Sequence, residues 1–339
     1  MIMMMQLLGY VSKARGILGE HAQSGLAGYV YNVGLPAVLF QSVATLDLDE
    51  MAIQIVCGVL LAKVVLVCLA RGLAHLLTRS DDGTGAADTL GGLAALLCTM
   101  SDDLGVGVPL FSAFFPSNSH AVSHLFVLSA LQSIVINPIA FVFLGVGRAS
   151  SGADMHESAA PPSRLQIWRD VILNLRNNPL VLAAVAGTAY NRISAGGELP
   201  WCVSSVTGMA GQAFTPLVLF IAGLGTRGSL GSLTSLQHVV MPVALVVLKS
   251  IILPIVAYFC VALLGGDSQA CDYGFAYGLL PCANSIFAIG RSYKVDAALS
   301  LRLAASLFLG KIVSFTLILL LAVSQLGSNW GPASAGVDP

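Results

Sequence analysis

Nine runs of 17 to 27 mostly apolar residues follow one another along this chain, and they limit its possible folds more than any other feature. They cover residues 25–43, 51–77, 90–115, 122–146, 171–190, 203–224, 239–264, 273–289 and 297–323. A helix rises 1.5 Å per residue, so about 20 apolar residues cross the roughly 30 Å hydrocarbon core of a bilayer. Lipid cannot satisfy exposed backbone, so uninterrupted runs of this length must cross as helices. A tenth run, residues 1–11, reaches only about 17 Å. No basic stretch precedes it and no small-residue cleavage site follows, so it reads as a helix whose beginning lies upstream rather than a signal peptide. Composition agrees: 56% hydrophobic residues, 10% charged, mean hydropathy +0.84. A soluble domain has a quite different mix. A net charge of −1 leaves no basic footprint for nucleic acid. The expected fold class is an all-α membrane protein of ten transmembrane helices.

The basic residues orient those helices. If odd-numbered segments run from outside to inside, the cytoplasmic ends hold Lys13, Arg15, Arg71, Arg79, Arg148, Arg164, Arg169, Arg176, Arg227, Arg291 and Lys294. Lys63, Lys249, Arg302 and Lys311 fall within segments, and only Arg192 lies outside, beside Asp47, Asp49, Glu50, Asp267 and Asp272. This bias satisfies the positive-inside rule and puts both termini on the exterior or lumenal side. Residues 148–170, rich in Ser, Ala, Pro and charge, read as a solvated cytoplasmic linker.

One segment is punctuated. Inside the run 90–115 lies Cys98-Thr-Met-Ser-Asp-Asp-Leu-Gly-Val-Gly-Val-Pro109. Gly and Pro loosen the helix ladder, and a carboxylate in the bilayer costs several kcal/mol unless it faces a cavity or a partner. A second interruption, Leu279-Leu-Pro281-Cys-Ala-Asn284-Ser-Ile-Phe-Ala-Ile-Gly290, lies about 180 residues on, in the ninth segment. Other pieces recur at a similar spacing. Pro36-Ala-Val-Leu-Phe40 is echoed by Pro216-Leu-Val-Leu-Phe220, and Lys63 in segment three by Lys249 in segment eight. Five segments per half means that the second copy enters from the opposite side. Two inverted repeats, residues 1–147 and 171–326 with a tail at 327–339, each holding one interrupted helix, point to a secondary transporter with its site at the midplane.

These residues also carry a family resemblance. The series Leu8-Gly-Tyr10, Arg15-Gly-Ile-Leu18, Leu35-Pro-Ala-Val-Leu-Phe40, Ser101-Asp-Asp-Leu-Gly-Val-Gly-Val-Pro109, Asn178-Pro-Leu180, Pro216-Leu-Val-Leu-Phe-Ile-Ala-Gly223 and Leu248-Lys-Ser-Ile-Ile-Leu-Pro254 resembles the auxin efflux carrier (PIN-like) family over essentially the whole chain. Residues 101–109, Asn137-Pro138 and residues 277–287 are most similar to the transporter-like domain of its lysosomal cholesterol-signalling branch. The resemblance implies ten helices in two inverted five-helix repeats, a scaffold and a transport domain, and crossing of broken helices four and nine. It also implies an anionic or amphipathic organic substrate near the crossing, and a homodimer through segments two and seven. Asp103 stands where the family usually has an amide, and the branch's seven-helix receptor-like portion is absent.

The expected substrate-binding set is Ser101, Asp102, Asp103, Gly105, Pro281, Asn284 and Ser285. Half-helix N-termini at the breaks favour an anion, freed carbonyls suit a cation or proton, and Asn284 and Ser285 donate and accept without charge. Two adjacent aspartates cannot both stay ionised in low dielectric without cost, so one is expected to carry a proton. The alternative points one at a lysine and the other at a water-filled vestibule. Lys63 and Lys249 either neutralise an aspartate or the substrate, or lock helices together; the repeat symmetry favours a shared structural role. With Asp102 and Asp103, they form the expected coupling or charge-pairing group.

Other features point elsewhere or nowhere. His120 and His124, four residues apart, would suit acid sensing or half a metal site, but with no nearby carboxylate or Cys they read as solvated residues at a helix start. Of the seven cysteines, Cys202 and Cys271 lie near segment ends and are candidates to pair. No cofactor motif and no metal site is expected. HExxH, G-x-S-x-G and a Walker loop are all absent, so the chain does not read as an enzyme. Two functions stay open: a carrier of a small organic anion or sterol, or a transporter-shaped sterol or ligand sensor that signals through a partner. The expected location is a lysosomal, vacuolar or plasma membrane, in contact with membrane lipid. The final residues read as a cut rather than a cap, so the chain is expected to continue.

Overall fold

The structure, a computed structural model, describes residues 2–45, 52–78, 84–115, 120–150, 169, 173, 176, 179–194, 197–225, 236–283, 286 and 297–329. These residues are helical apart from short connections and one isolated antiparallel pairing of Ser101 with Cys282. In the first half come α1 (Ile2–Ala14), α2 (Glu20–Tyr29), α3 (Leu35–Ala44), α4 (Ile53–Leu77), α5 (Thr84–Thr99), α6 (Val108–Phe114), α7 (Ala121–Leu131) and α8 (Asn137–Ser150). The second half holds α9 (Pro179–Ser194), α10 (Trp201–Gln212), α11 (Phe214–Gly225), α12 (Leu236–Val247), α13 (Leu253–Leu263), α14 (Ser268–Leu279) and α15 (Ala297–Asn329). Among the described residues, four stretches are long and apolar enough to cross a membrane: Ile53–Leu77, Ala121–Gly147, Val239–Leu263 and Ala305–Val323. The chain is an all-α integral membrane protein. α8 runs to Ser150, three residues into the expected linker, and residues 151–168 lie outside the described set.

Four helices widen by one residue just before a proline. At Val30–Gly34, Asp103–Gly107, Gln132–Ile136 and Leu248–Ile252 the following N–H donates five residues back rather than four. The pairs are Leu35 to Val30, Val108 to Asp103, Asn137 to Gln132, and Leu253 to Leu248. Each donor is followed directly by a proline: Pro36, Pro109, Pro138 or Pro254. A proline ring in a helix lacks an N–H and collides with the carbonyl four residues earlier. Here that carbonyl belongs to Asn32, Gly105, Ile134 or Ser250, inside the wide turn in every case. Widening moves the carbonyl aside and lets the helix continue. Three of the turns bring a polar side chain into the interior: Asp103, Gln132 and Lys249, all buried.

Packing separates the helices into two groups. α1 packs on α11, α9 on α3, and α10 on α3, with residues 20–29 against α11. The second group holds α4, α5, α7, α8, α12, α13, α14 and α15, with α5 clasped between α4 and α8, and α13 between α4 and α14. Every residue from Leu90 to Thr99 is buried, so this part of α5 is enclosed by protein on all sides. Around it lie Leu66, Ala70, Leu93, Leu97, Ala140, Leu144, Leu245 and Leu303. A second apolar cluster of Val59, Phe111, Leu125, Leu128, Val261, Tyr273 and Leu280 closes the other end. Close approach there depends on glycine: a Cβ on Gly58 would lie 2.8 Å from the Cα of Val261. Such a contact cannot be relieved by turning a side chain.

Candidate functional site

α5 ends at Thr99, and α14 ends at Leu279. The extended residues that follow each helix pair with one another. The N–H of Asp102 donates to the carbonyl of Pro281 at 2.8 Å, and that of Ala283 to Met100 at 3.0 Å. An unpaired peptide group in lipid costs several kcal/mol, so two breaks that pair with each other are far cheaper than two left apart. The contact therefore brings Ser101, Asp102, Asp103 and Pro281 into one place. Asn284 and Ser285 lie outside the described residues.

Asp102 acts first on its own backbone. Its carboxylate accepts the N–H of Gly105 at 3.1 Å and caps the wide turn that begins at Asp103. A Cβ at Gly105 would sit 2.6 Å from that carboxylate oxygen, so alanine there would push the Asp102 cap aside. The ammonium of Lys311, on α15, is its cationic neighbour. Asp103 is 4% exposed, and its Oδ1 has no hydrogen-bond partner. The Tyr277 hydroxyl, also buried, faces Asp103 and Ser101 without reaching hydrogen-bond geometry with either.

Lys63 and Lys249 point inward, each 1% exposed, so neither snorkels. Lys63 donates to Gln132 Oε1 at 2.8 Å and lies 4.9 Å from the centre of the Tyr277 ring. Gln132 is held in turn by its own amide, which donates to Asn137 at 2.9 Å and to Thr99 at 3.4 Å. Lys249 donates to Ser101 Oγ at 2.6 Å, which ties the wide turn before Pro254 to the break after α5. The charges of both lysines act on Asp103, yet each ammonium hydrogen-bonds to a neutral group. The described residues at the crossing thus hold three buried ammonium groups (Lys63, Lys249, Lys311) and two carboxylates. Buried lysines beside the break are the cationic partners that an anionic guest would use.

Several participants went unread in the sequence: Thr99, Gln132, Asn137, Tyr277 and Lys311. A signal for two of them existed, because Gln132 and Asn137 are amides inside an apolar run, the second directly before Pro138. Two expectations need correction. His124 is not a solvated helix-start residue: it is 2% exposed, and its Nε2 accepts the Ala52 N–H at 3.1 Å, because the start of α4 and the ring of Tyr273 cover it. Cys202 and Cys271 are both free thiols, the first exposed and the second buried.

Comparison with known proteins agrees with this architecture. The chain is 23% identical over 297 residues to the lysosomal cholesterol signaling protein of Mus musculus, an alignment covering 86% of this chain and 33% of that protein. It therefore spans about a third of that relative's length. The sequence profile described as membrane transport protein matches residues 1–322. The chain belongs to that membrane transport protein family, the auxin efflux carriers.

Proposed function

We propose that this chain is a secondary transporter that moves a small anionic or amphipathic organic solute by an elevator-type alternating-access mechanism. The observation that carries the reading is the crossing itself: two interrupted helices paired through their backbones in the protein interior, beside buried lysines and aspartates. In this reading Ser101, Asp102, Asp103, Gly105, Pro281, Asn284 and Ser285 form the solute site. Asp103, with Asp102, Lys63 and Lys249, balances or couples charge. The ten helices form inverted repeats over residues 1–147 and 171–326, joined by the cytoplasmic linker 148–170. Helix pairing supports that symmetry, since α1 on α11 mirrors α9 on α3, and α4 on α5 mirrors α13 on α14. The group around α3 and α11, which meets the other group at α7 and at the wide turn 103–107, would be the scaffold and the group around α5 and α14 the moving body. α10 has no buried residue and exposes Trp201, Val206 and Met209, which suits a homodimer through segments two and seven.

The test is uptake into proteoliposomes of a panel of labelled organic anions, paired with thermal shifts of the purified protein. Anything that binds the folded state alone raises its apparent stability. An anion that is both taken up and stabilising supports the reading; stabilisation by sterol alone, with no uptake, favours a sensor. That second reading draws on the relative's name and on an apolar cleft of about 460 Å³ on the outer surface, lined by Cys68, Gly72, Leu76, Ala244, Val247 and Leu248.

A further inference from the structure

The crossing does not use His124, and its surroundings are unusual. Four elements meet at this end of the bundle: Ala52 just before α4, Phe111 in the middle of α6, the start of α7, and α14 at Tyr273. The Tyr273 ring packs edge-on against Phe111 at 4.6 Å and against His124 at 5.6 Å, and its hydroxyl donates to the Ala121 carbonyl at 2.8 Å. His124 Nε2 accepts the backbone N–H of Ala52, the residue before α4 begins. A nitrogen that accepts carries no proton, so the ring is the neutral tautomer with its hydrogen on Nδ1. Nδ1 is buried and faces the His120 carbonyl without reaching hydrogen-bond geometry. An imidazolium has two donors and no acceptor. Once charged, the ring sets an N–H against the Ala52 N–H, and that contact cannot survive.

We propose that His124 is a proton-operated latch: neutral, it ties the head of α4, and through it the helix that carries Lys63, to α7 and α14; charged, it lets go. Among described groups, the titratable ones facing it are His120, one turn earlier on its own side, and Tyr273 from α14. The basic-residue distribution places this end on the exterior or lumenal side, so the trigger is acid in that compartment. The latch does not depend on the solute proposed above, because it is built from a different set of residues.

The test uses the full chain in lipid nanodiscs, with hydrogen exchange followed through the Ala52–Ile55 region and melting temperature measured from pH 7.5 to pH 5. In the wild type, exchange corrected for its intrinsic pH dependence should accelerate about tenfold on acidification, as one lost hydrogen bond implies. Melting temperature should drop over the same range. His124→Gln places an amide oxygen near the Nε2 position and does not titrate, so both pH responses should flatten, whereas His120→Gln should keep them. Equal acid responses in wild type and His124→Gln overturn the latch. If His124→Gln does not fold, wild-type exchange decides alone: protection of the Ala52 amide unchanged from pH 7.5 to pH 5 overturns it equally.

Discussion

Replacing Asp103 with asparagine separates a coupling carboxylate from a structural counter-ion. The change keeps size and most hydrogen-bonding capacity but removes the charge and the proton. At an effective dielectric of about 20, two unit charges 4 Å apart attract by about 4 kcal/mol, and less at greater distance. Lys63 and Lys249 both act on Asp103, but each hydrogen-bonds to a neutral partner, Gln132 or Ser101, which the substitution leaves in place. Part of the lost attraction is offset because a buried carboxylate no longer has to be desolvated. The net loss should be about 1–2 kcal/mol, against about 3–5 kcal/mol for stripping one partner from a buried pair in direct contact. Melting temperature would fall by a few degrees. Anion-induced stabilisation should persist in Asp103→Asn while its pH dependence flattens. Thermal melts across pH, with and without a stabilising anion, on wild type, Asp103→Asn and Lys249→Met read both effects. A large stability loss with unchanged pH dependence would remove Asp103 from coupling and make it a plain counter-ion.

Other substitutions test the supports of the site. Gln132→Leu takes away the acceptor that holds the buried Lys63 ammonium and should cost about 2–3 kcal/mol, read as a lower melting temperature. Gly105→Ala forces a methyl group into the Asp102 cap and should cost about 1–3 kcal/mol and weaken anion stabilisation, seen by thermal shift. Pro254→Ala permits the regular helix ladder through Leu248–Ile252, so Lys249 should swing from Ser101, lowering the melting temperature and reducing uptake in proteoliposomes.

Much of the architecture was legible in the chain because bilayer physics leaves few choices. Run length marks the helices, and glycine, proline and adjacent acids mark where one must break. Contact between the two breaks follows from the need to pair freed peptide groups, and Asp102 with Pro281 and Ala283 with Met100 meet that need directly. Partnerships were less legible. Lys63 invites an aspartate on grounds of charge, but it takes Gln132, because helix packing and the wide turn before Pro138 set which side chain reaches it. His124 looked solvated because residues 120–124 begin a helix after a loop. Its burial comes from Ala52 and Tyr273, far away in sequence. Local pattern carries no information about such long-range cover.

The widened turns have a consequence for how these helices can change over generations. Fitting one more residue into the same turn resets the angular phase of everything beyond it, by about 100° relative to a regular helix. Asp103, Gln132 and Lys249 lie in the widened turns before Pro109, Pro138 and Pro254, so those prolines set how each polar group is phased against the rest of its helix. A proline displaced by a single position would rotate its polar group out of the interior and toward the acyl chains, with composition and hydropathy almost unaltered. A helical wheel drawn through such a segment misplaces every residue on one side of the turn. In the proposed carrier, specificity could therefore drift through prolines as well as through the residues of the site.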